Sequence, residues 1–326
     1  MKRGGTIQVS FMATDKKLKV GVIGIGHLGK EHARIYAGLS NVELVGICDI
    51  DTAKAEKAKE LKTSFFTDYR ELIPLVQAVS IAVPTAGHYK VAEQCLTAGV
   101  HTLVEKPITN QLDEADELIR IATEKKLALQ VGHIERYNAA LQRIEKIARD
   151  IRFLEIHRLS PFTPRVTDCG VVLDMMIHDL DIVLQLVKSE IVSMDCVGIN
   201  VLTPFEDIAN VRIKFANGTV CDLTASRLTP EKQRKIRIFQ EDAYISLDYQ
   251  AQSAQIFRKQ GFSITKEEVL IEKEEPLKAE LENFVGSILD GSSPGRADID
   301  ARNALQLALR IIDDIKKNSP KFSHAK

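Results

Sequence analysis

The sequence predicts an α/β protein in which a doubly wound parallel sheet is followed by a second α/β domain with a large, mostly antiparallel sheet. Between residues 18 and 132, short β-rich runs alternate with helical patterns, which is typical of a parallel sheet with helical crossovers. After residue 200, apolar and polar residues alternate, and Asn217-Gly218 is typical of a hairpin turn. The change of pattern places the domain boundary near residues 133–138.

The predicted elements follow in chain order. The first part predicts strands over Leu18–Ile23, Val42–Cys48, Ala78–Val83, Thr102–Val104 and Leu127–Val131, and helices over Leu28–Tyr36, Thr52–Leu61, His88–Ala98 and Leu112–Glu124. The second part predicts strands over Arg152–Arg158, Val211–Phe215, Thr219–Leu223, Ile236–Phe239 and Ala243–Leu247, and helices over Ala139–Arg149 and Val172–Leu186, from Pro276, and after Asp298. We expect residues 1–16 to form a loosely ordered extension, residues 17–133 a nucleotide-binding domain and residues 134–326 a substrate-binding and oligomerisation domain.

A glycine-rich turn, Gly24-Ile25-Gly26-His27-Leu28-Gly29, joins the first strand to the first helix. The first glycine permits a tight turn, the second lets the backbone approach a pyrophosphate, and the third lets the helix pack on the strand. The N–H groups around His27 and Leu28, at the start of the helix, can then receive phosphates. A plain strand–helix turn without a ligand is the alternative, but this context favours a dinucleotide site.

Asp49 ends the second predicted strand, where an acidic side chain can accept hydrogen bonds from the adenosine ribose hydroxyls. A cofactor with a 2′-phosphate would need a cation just beyond this strand. The chain has Ile50 and Asp51 there, and a second carboxylate would repel a phosphate. The sequence therefore predicts NAD as the cofactor rather than NADP.

The composition is that of an ordinary globular enzyme. The 326 residues are 44% hydrophobic and 27% charged, and a net charge of -1 predicts no nucleic-acid partner and no anionic membrane surface. No apolar stretch approaches the length of a membrane span. Five cysteines without a CxxC spacing indicate reduced thiols, and so a cytoplasmic protein without zinc.

Further candidate residues follow the later strands of the parallel sheet. Ligands of such sheets bind beyond the carboxyl ends of the strands. Pro84, Thr85, His88 and Glu105 are therefore candidates for cofactor contact. Lys106, in Glu105-Lys106-Pro107, could hydrogen-bond a substrate hydroxyl or polarise a ketone, and burial near a positively charged ring would bring its pKa closer to neutrality. The alternative is an ordinary surface lysine before a turn.

A second set of candidates lies in Asp174-Met175-Met176-Ile177-His178-Asp179. Asp174 and His178 are four residues apart, so on a helix both can point into one cleft. The histidine could take an alcohol proton while the carboxylate orients it or binds substrate. The alternative is a polar pair at the start of a helix. The spacing matches no familiar metal site.

Two loops supply candidates for substrate contact. Arg136 and Asn138 follow the last strand of the first domain, where a salt-bridged linker is the alternative. Arg165 lies in Ser160-Pro161-Phe162-Thr163-Pro164-Arg165, where a guanidinium could bind a phosphate or carboxylate in a bidentate manner, or be solvated.

Together these motifs resemble the Gfo/Idh/MocA oxidoreductase family over the chain from about Leu18 onward. The resemblance implies a large open sheet in the second domain, a cis bond before Pro107, and a reaction in which Lys106, Asp174 and His178 serve a hydroxyl while NAD takes the hydride. Val131-Gly132-His133-Ile134-Glu135-Arg136-Tyr137-Asn138 and Ser160–Arg165 are similar to the UDP-N-acetylglucosamine 3-dehydrogenase branch.

That resemblance implies oxidation of a ring secondary alcohol of a sugar or sugar nucleotide, with C3 of UDP-N-acetylglucosamine as the expected position. The alternatives are an inositol or free-sugar dehydrogenase of the same family, and a catalytically silent dinucleotide-binding regulator. The alternating strands of the second domain leave one sheet face to be covered, so we also expect a homodimer or homotetramer.

Overall fold

The computed structural model describes residues 17–163, 169–292 and 297–318, which fold around two sheets. The strands are β1 (Leu18–Ile23), β2 (Val42–Cys48), β3 (Ser64–Phe66), β4 (Ala78–Ile81), β5 (His101–Glu105), β6 (Leu129–Gly132), β7 (Phe153–Leu159), β8 (Ile191–Ile199), β9 (Ile208–Phe215), β10 (Val220–Ser226), β11 (Gln233–Phe239), β12 (Ala243–Asp248), β13 (Ser253–Gln260) and β14 (Ser263–Glu268). The helices are α1 (Gly29–Gly38), α2 (Ala55–Leu61), α3 (Tyr69–Leu72), α4 (His88–Thr97), α5 (Leu112–Lys125), α6 (Ala139–Glu145), α7 (Ile177–Leu186), α8 (Pro276–Leu289) and α9 (Ala297–Asn318).

The first sheet is parallel throughout, with the strand order β3-β2-β1-β4-β5-β6. This is the order of a doubly wound dinucleotide-binding domain, in which the chain reverses direction across the sheet between β1 and β4. The strands β4 and β6 are buried at every position, as expected for a sheet with helices on both faces. The predicted fold of the first part is confirmed.

The second sheet has the order β14-β13-β12-β11-β7-β10-β9-β8. Adjacent strands in this sheet run antiparallel, except for β7 and β10, which run parallel to each other. One face carries buried aliphatic side chains against α6, α7 and α9. The predicted large, mostly antiparallel sheet is therefore confirmed.

Several elements were not predicted, and they share weak sequence patterns. The strand β3 is three residues long, and β14 is exposed at all six positions with charged residues among them. The strands β8 and β13 are also absent from the prediction, although both pair fully with their neighbours. Three of these four strands, β3, β8 and β14, lie at sheet edges and bury little, so their sequences carry little alternation.

The last two helices return to both sheets. The apolar face of α8, with Leu281 and Phe284, packs in one cluster with Val20 of the first sheet. The helix α9 contributes Leu305 to the other apolar cluster of the first domain and Ile311 to the core of the second sheet. The helix α8 therefore packs with the first sheet and α9 contacts both sheets, and the division of the chain at residue 133 stays a prediction.

The described ranges contain no helix long and apolar enough to cross a membrane. The same ranges contain no group of three or more His, Cys, Asp or Glu side chains that could hold a metal ion.

One carboxyl group in α8 is buried without a partner. Glu280 has no exposed surface, and neither of its carboxylate oxygens has a hydrogen-bond partner. Burial, and then the charge of Glu105, raise the pKa of Glu280 well above its ordinary value. The proton is bound more tightly in the folded protein than in the unfolded chain, so folding becomes less favourable as pH rises above the ordinary glutamate pKa of 4.5.

We predict that Glu280→Met raises the free energy of unfolding by about 1–3 kcal/mol at pH 8, because it removes a buried polar group without a partner. The gain should shrink as pH falls toward 4.5, because the unfolded chain then also begins to bind the proton. Denaturant unfolding at the two pH values measures this. Glu282→Met, on the exposed side of the same helix, is the control. An equal gain at both pH values would contradict the assignment.

Candidate active site

The glycine-rich turn is shaped to receive a ligand. Gly24 has φ +89°, and a Cβ atom there would lie 2.7 Å from the backbone of Ala82. A Cβ atom at Gly29 would lie 1.7 Å from the carbonyl oxygen of Gly24, so α1 can approach β1 only with glycine at this position. Gly26 has no atom within 4 Å of the space its Cβ would fill. Backbone atoms thus leave no room for a side chain at Gly24 and Gly29, whereas the space beside Gly26 is open.

Polar groups of the turn remain available for phosphates and a ribose. In the described part of the chain, the backbone N–H groups of Gly26, His27 and Leu28 have no hydrogen-bond partner, and they lie at the N-terminus of α1. Asp49, at the end of β2, accepts hydrogen bonds from the N–H groups of Ile25 (2.7 Å) and Asp51 (2.9 Å). These residues fit the adenosine and pyrophosphate of a dinucleotide.

The residues after β4 form a short turn at the same edge of the sheet. Pro84 and Thr85 lie at the surface there and remain accessible to a cofactor. His88 is 1% exposed, and its two ring nitrogens lie 2.8 and 2.9 Å from the carbonyl oxygens of Pro107 and Val83. Its ring therefore holds the two loops together, and its contact with the cofactor stays a prediction.

Glu105 ends β5 but is turned away from the edge. Its carboxylate is buried against His32 of α1, with an Nε2 to Oε1 distance of 3.0 Å. Burial alone would raise the pKa of Glu105, but the hydrogen bond and charge of His32 and the charge of Lys106 outweigh it, so the pKa is lowered. We revise its role to fixing the strand end from which Lys106 projects.

Lys106 reaches across to the second domain. The Lys106–Pro107 bond is cis, as the resemblance implied. The Lys106 ammonium donates to the main-chain oxygen of Asp174 at 2.6 Å and to the Asp174 carboxylate at 3.2 Å. Both side chains are mostly buried, with 15% and 24% of their surface exposed. This ion pair therefore connects the end of β5 with the segment that precedes α7.

Asp174 lies in a π-helical turn, Val172–Met176, that runs directly into α7. Such turns are rare overall, but they occur often at functional sites. The extra residue in the turn alters the spacing expected for an α-helix, and the described residues contain no hydrogen bond between Asp174 and His178. The Asp174 carboxylate is therefore hydrogen-bonded to Lys106 and not to His178.

His178 is half-buried, and its Nδ1 atom is buried without a hydrogen-bond partner. The His133 ring stands edge-on to it, with 6.2 Å between ring centroids. Desolvation, followed by the charges of Lys106 and Arg158, lowers the pKa of His178 well below its ordinary value. At neutral pH the imidazole is therefore uncharged and can accept a proton.

A buried ionic network fixes the start of α7. Arg158 of β7 is 1% exposed and forms two hydrogen bonds of 2.9 Å with Asp179, the residue after His178. It also lies 3.2 Å from Glu135, and the Tyr249 hydroxyl donates to Asp179 at 2.7 Å. Arg158 has its charge balanced by two carboxylates, as a buried guanidinium requires. The network holds the helix that carries His178 against the second sheet.

Two of the three expected substrate contacts in these loops are described, and both bind protein groups. Arg136 pairs with Asp181 and Asp300 on the side of α7 and α9. Asn138 is buried, caps α6 and donates to the Tyr249 carbonyl at 2.7 Å. Both side chains therefore have structural partners, and their contact with substrate stays a prediction. Arg165 lies outside the described residues.

His133 and Glu135 lie in the stretch Val131–Asn138 that carries the family resemblance, and His133 faces His178. Two arginines near the site carried too weak a pattern to be singled out. Arg158 and Arg234 approach Glu135 from two neighbouring strands, β7 and β11. Nothing in their local sequence distinguishes them from the exposed arginines of an alternating strand.

Comparison with known proteins agrees with this arrangement. Residues 18–133 match the oxidoreductase family with an NAD-binding Rossmann fold, Gfo/Idh/MocA, and residues 150–246 match its C-terminal domain. The UDP-N-acetylglucosamine 3-dehydrogenase of Acidithiobacillus ferrooxidans is 38% identical over 302 residues, which are 90% of this chain and 96% of that protein. The chain belongs to the Gfo/Idh/MocA family.

Solved structures and a second relative extend the comparison. A crystal structure of the A. ferrooxidans enzyme has a TM-score of 0.87 and 38% identity, and it covers 92% of this chain and 98% of its own. The NAD-dependent scyllo-inositol 2-dehydrogenase of Bacillus subtilis is 26% identical over 94% of this chain and 96% of its own. As a Gfo/Idh/MocA protein, this chain is an oxidoreductase whose cofactor is NAD.

We predict that Asp49→Ser with Ile50→Arg shifts cofactor preference toward NADP. The double variant removes a carboxylate that would repel a 2′-phosphate and adds a guanidinium at an exposed position. The dissociation constants of both cofactors, measured by fluorescence titration, report the change. Asp49→Ser alone is the control for general loss of binding. Tighter binding of NADP than NAD by the wild-type protein would contradict the role of Asp49.

Proposed function

We propose that this protein oxidises a ring secondary alcohol of a sugar nucleotide with NAD, and that the substrate position is C3 of UDP-N-acetylglucosamine. The observation that carries the proposal is the meeting of Lys106, Asp174 and an uncharged His178 beside the nucleotide-binding edge. The similarity to UDP-N-acetylglucosamine 3-dehydrogenase over most of both chains supports the choice of substrate.

The cofactor would be held by residues of the first domain. The turn at Gly24, Gly26 and Gly29 would receive the pyrophosphate, Asp49 the adenosine ribose, and Pro84 and Thr85 would border the cofactor further along the edge. When bound, NAD supplies the acceptor for the hydride that leaves the alcohol carbon.

His178 would take the proton of the alcohol. Loss of a hydride from a secondary alcohol requires loss of the hydroxyl proton, and a neutral imidazole accepts it without first releasing another. The lowered pKa keeps His178 in this form at neutral pH. The ionic network of Arg158 with Asp179 would position the ring by fixing the adjacent turn of α7.

Lys106 would donate a hydrogen bond to the reacting oxygen and stabilise the negative charge that develops as the proton leaves. Asp174 holds the ammonium through both its carboxylate and its main-chain oxygen. We therefore assign Asp174 to positioning Lys106 and to binding a neighbouring hydroxyl, in preference to orienting His178.

We predict that His178→Asn lowers kcat by roughly two to four orders of magnitude and that Lys106→Ala lowers it by roughly a hundredfold. Asp174→Asn should cost less than His178→Asn, because a neutral amide can still accept from the ammonium. Dissociation constants for NAD should change little in all three. His157→Asn is the matched control, since His157 lies on β7 beside Glu155 and away from these residues. Unchanged turnover in His178→Asn, with folding verified by circular dichroism, would remove this residue from the mechanism.

The choice among substrates is testable with the wild-type protein. Scyllo-inositol 2-dehydrogenase shares the fold over most of its length, so an inositol or free-sugar substrate is the second candidate. NADH formation at 340 nm should be fastest with UDP-N-acetylglucosamine in a panel that includes N-acetylglucosamine and myo-inositol. Faster turnover of myo-inositol would favour the second candidate. No turnover in the panel, with NAD bound, would favour a silent dinucleotide-binding regulator.

We further propose that the protein works in the cytoplasm as a homodimer or homotetramer that is built through the open face of the second sheet. None of the five cysteines forms a disulfide. On the open face, four aromatic rings from neighbouring strands form a continuous row: Phe153, Phe239, Tyr244 and Phe257. Centroid distances of 4.9–5.6 Å make this a contiguous apolar stripe on a face without helices.

We predict that Tyr244→Asp with Phe257→Asp yields a smaller species than the wild type, because two carboxylates on the stripe could not be buried against a second copy. Light scattering coupled to size exclusion measures the mass. Leu75→Asp, at an exposed apolar position of the first domain, should leave the mass unchanged. A wild-type monomer at micromolar concentration would contradict the proposal.

A further inference from the structure

A basic pair at the start of β11 faces the junction between the two domains. Along this strand, Ile236 and Ile238 are fully buried on the face that packs against helices. Because side chains alternate along a strand, Arg234 lies on the same face toward the N-terminal end, and Lys232 immediately precedes the strand. Burial falls in that direction, since Arg234 has 31% of its side chain exposed and Lys232 lies at the surface.

This end of the strand lies next to the active site. Arg234 is 3.3 Å from Glu135, which follows His133 by two residues at the carboxyl edge of the first sheet. In the sheet, Arg234 pairs with Arg158, the residue that binds Asp179 beside His178. The charge of Arg234 also contributes to lowering the pKa of His178. The basic pair therefore borders the cleft that contains the proposed reacting groups.

The cations here outnumber the carboxylates that contact them. Arg158 is paired with Asp179 and shares Glu135 with Arg234. Within the described ranges, Lys232 has no ion pair, and the positive charge of Arg234 is the largest cause that lowers its pKa. Three cations against two carboxylates leave a positive surplus at the mouth of the site, and cations that repel one another are stabilised when an anion binds between them.

We propose that Lys232 and Arg234 bind the diphosphate of the nucleotide-sugar substrate. The inference rests on the proposed function, since a free sugar or an inositol carries no such group. Phosphate oxygens would complete the charge balance of Lys232 and give Arg234 a second anionic partner beside Glu135. The sugar ring, joined directly to the diphosphate, would then extend toward Lys106 and His178.

The strand itself offers a matched control. Lys235 lies next to Arg234 on β11, and alternation turns it to the opposite, open face. Lys232→Ala therefore removes a lysine charge just before the strand, and Lys235→Ala removes the same charge from the open face. Arg234→Gln is a third variant, since its amide can still donate to Glu135 while the charge is lost.

UDP, uridine and UDP-N-acetylglucosamine are the probes, titrated into the NAD-loaded protein by calorimetry. Lys232→Ala and Arg234→Gln should each weaken UDP binding roughly tenfold or more and raise the KM for UDP-N-acetylglucosamine to a similar extent, and Lys232→Ala should leave kcat little changed. Uridine binding should be the same in all variants, and Lys235→Ala should match the wild type. Inorganic pyrophosphate should compete with UDP in the wild type.

Equal affinity for UDP in the wild type and Lys232→Ala, or no UDP binding by the wild type, would overturn the inference. Either result leaves the proposed function intact if the wild type still forms NADH from UDP-N-acetylglucosamine. Conversely, UDP binding that depends on Lys232 without turnover of UDP-N-acetylglucosamine would support the diphosphate site and reject the proposed reaction.

Discussion

The ion pair between Lys106 and Asp174 is the contact on which the rest of the site depends. It joins the carboxyl edge of one sheet to a helical turn that packs on the other, and both side chains are largely removed from water. An ion pair of this kind is stable only where packing holds both partners in place. His88 holds the loop around Pro107, and Arg158 holds α7 through Asp179. The distant parts of the fold thus determine where one ammonium lies.

The acidic groups and the cations near the cleft lie on different sides of it, and this arrangement determines the chemistry that the site can support. On the nucleotide-binding side, Glu105 and the protonated Glu280 are buried away from the cleft. On the other side, burial and then the charges of Lys106, Arg158 and Arg234 lower the pKa of His178 and keep its imidazole uncharged. The cleft therefore combines a neutral proton acceptor with a positive surrounding, which stabilises an alkoxide-like oxygen and attracts an anionic substrate.

The sequence predicted the parallel sheet well because its strands are short, buried runs between clear helical patterns, as in β4. The sequence was less informative about whether a polar side chain contacts a ligand or another group of the protein. Arg136 and Asn138 stand at the expected edge, yet the first pairs with Asp181 and the second caps α6. Such choices depend on contacts from Asp300 of α9 and from Tyr249, just after β12, which lie more than a hundred residues away in the chain. The π-helical turn at Asp174 likewise has no distinct pattern in sequence.

A crystal structure of the wild-type protein with NADH and UDP-N-acetylglucosamine tests the central claim most directly. The account predicts that the C3 hydroxyl lies within about 3 Å of both the Lys106 ammonium and the His178 imidazole. A sugar ring bound in this cleft with another hydroxyl between the two groups would refute the assigned position. A ring bound elsewhere, with Lys106 still paired only to Asp174, would contradict the assignment of this cluster as the active site.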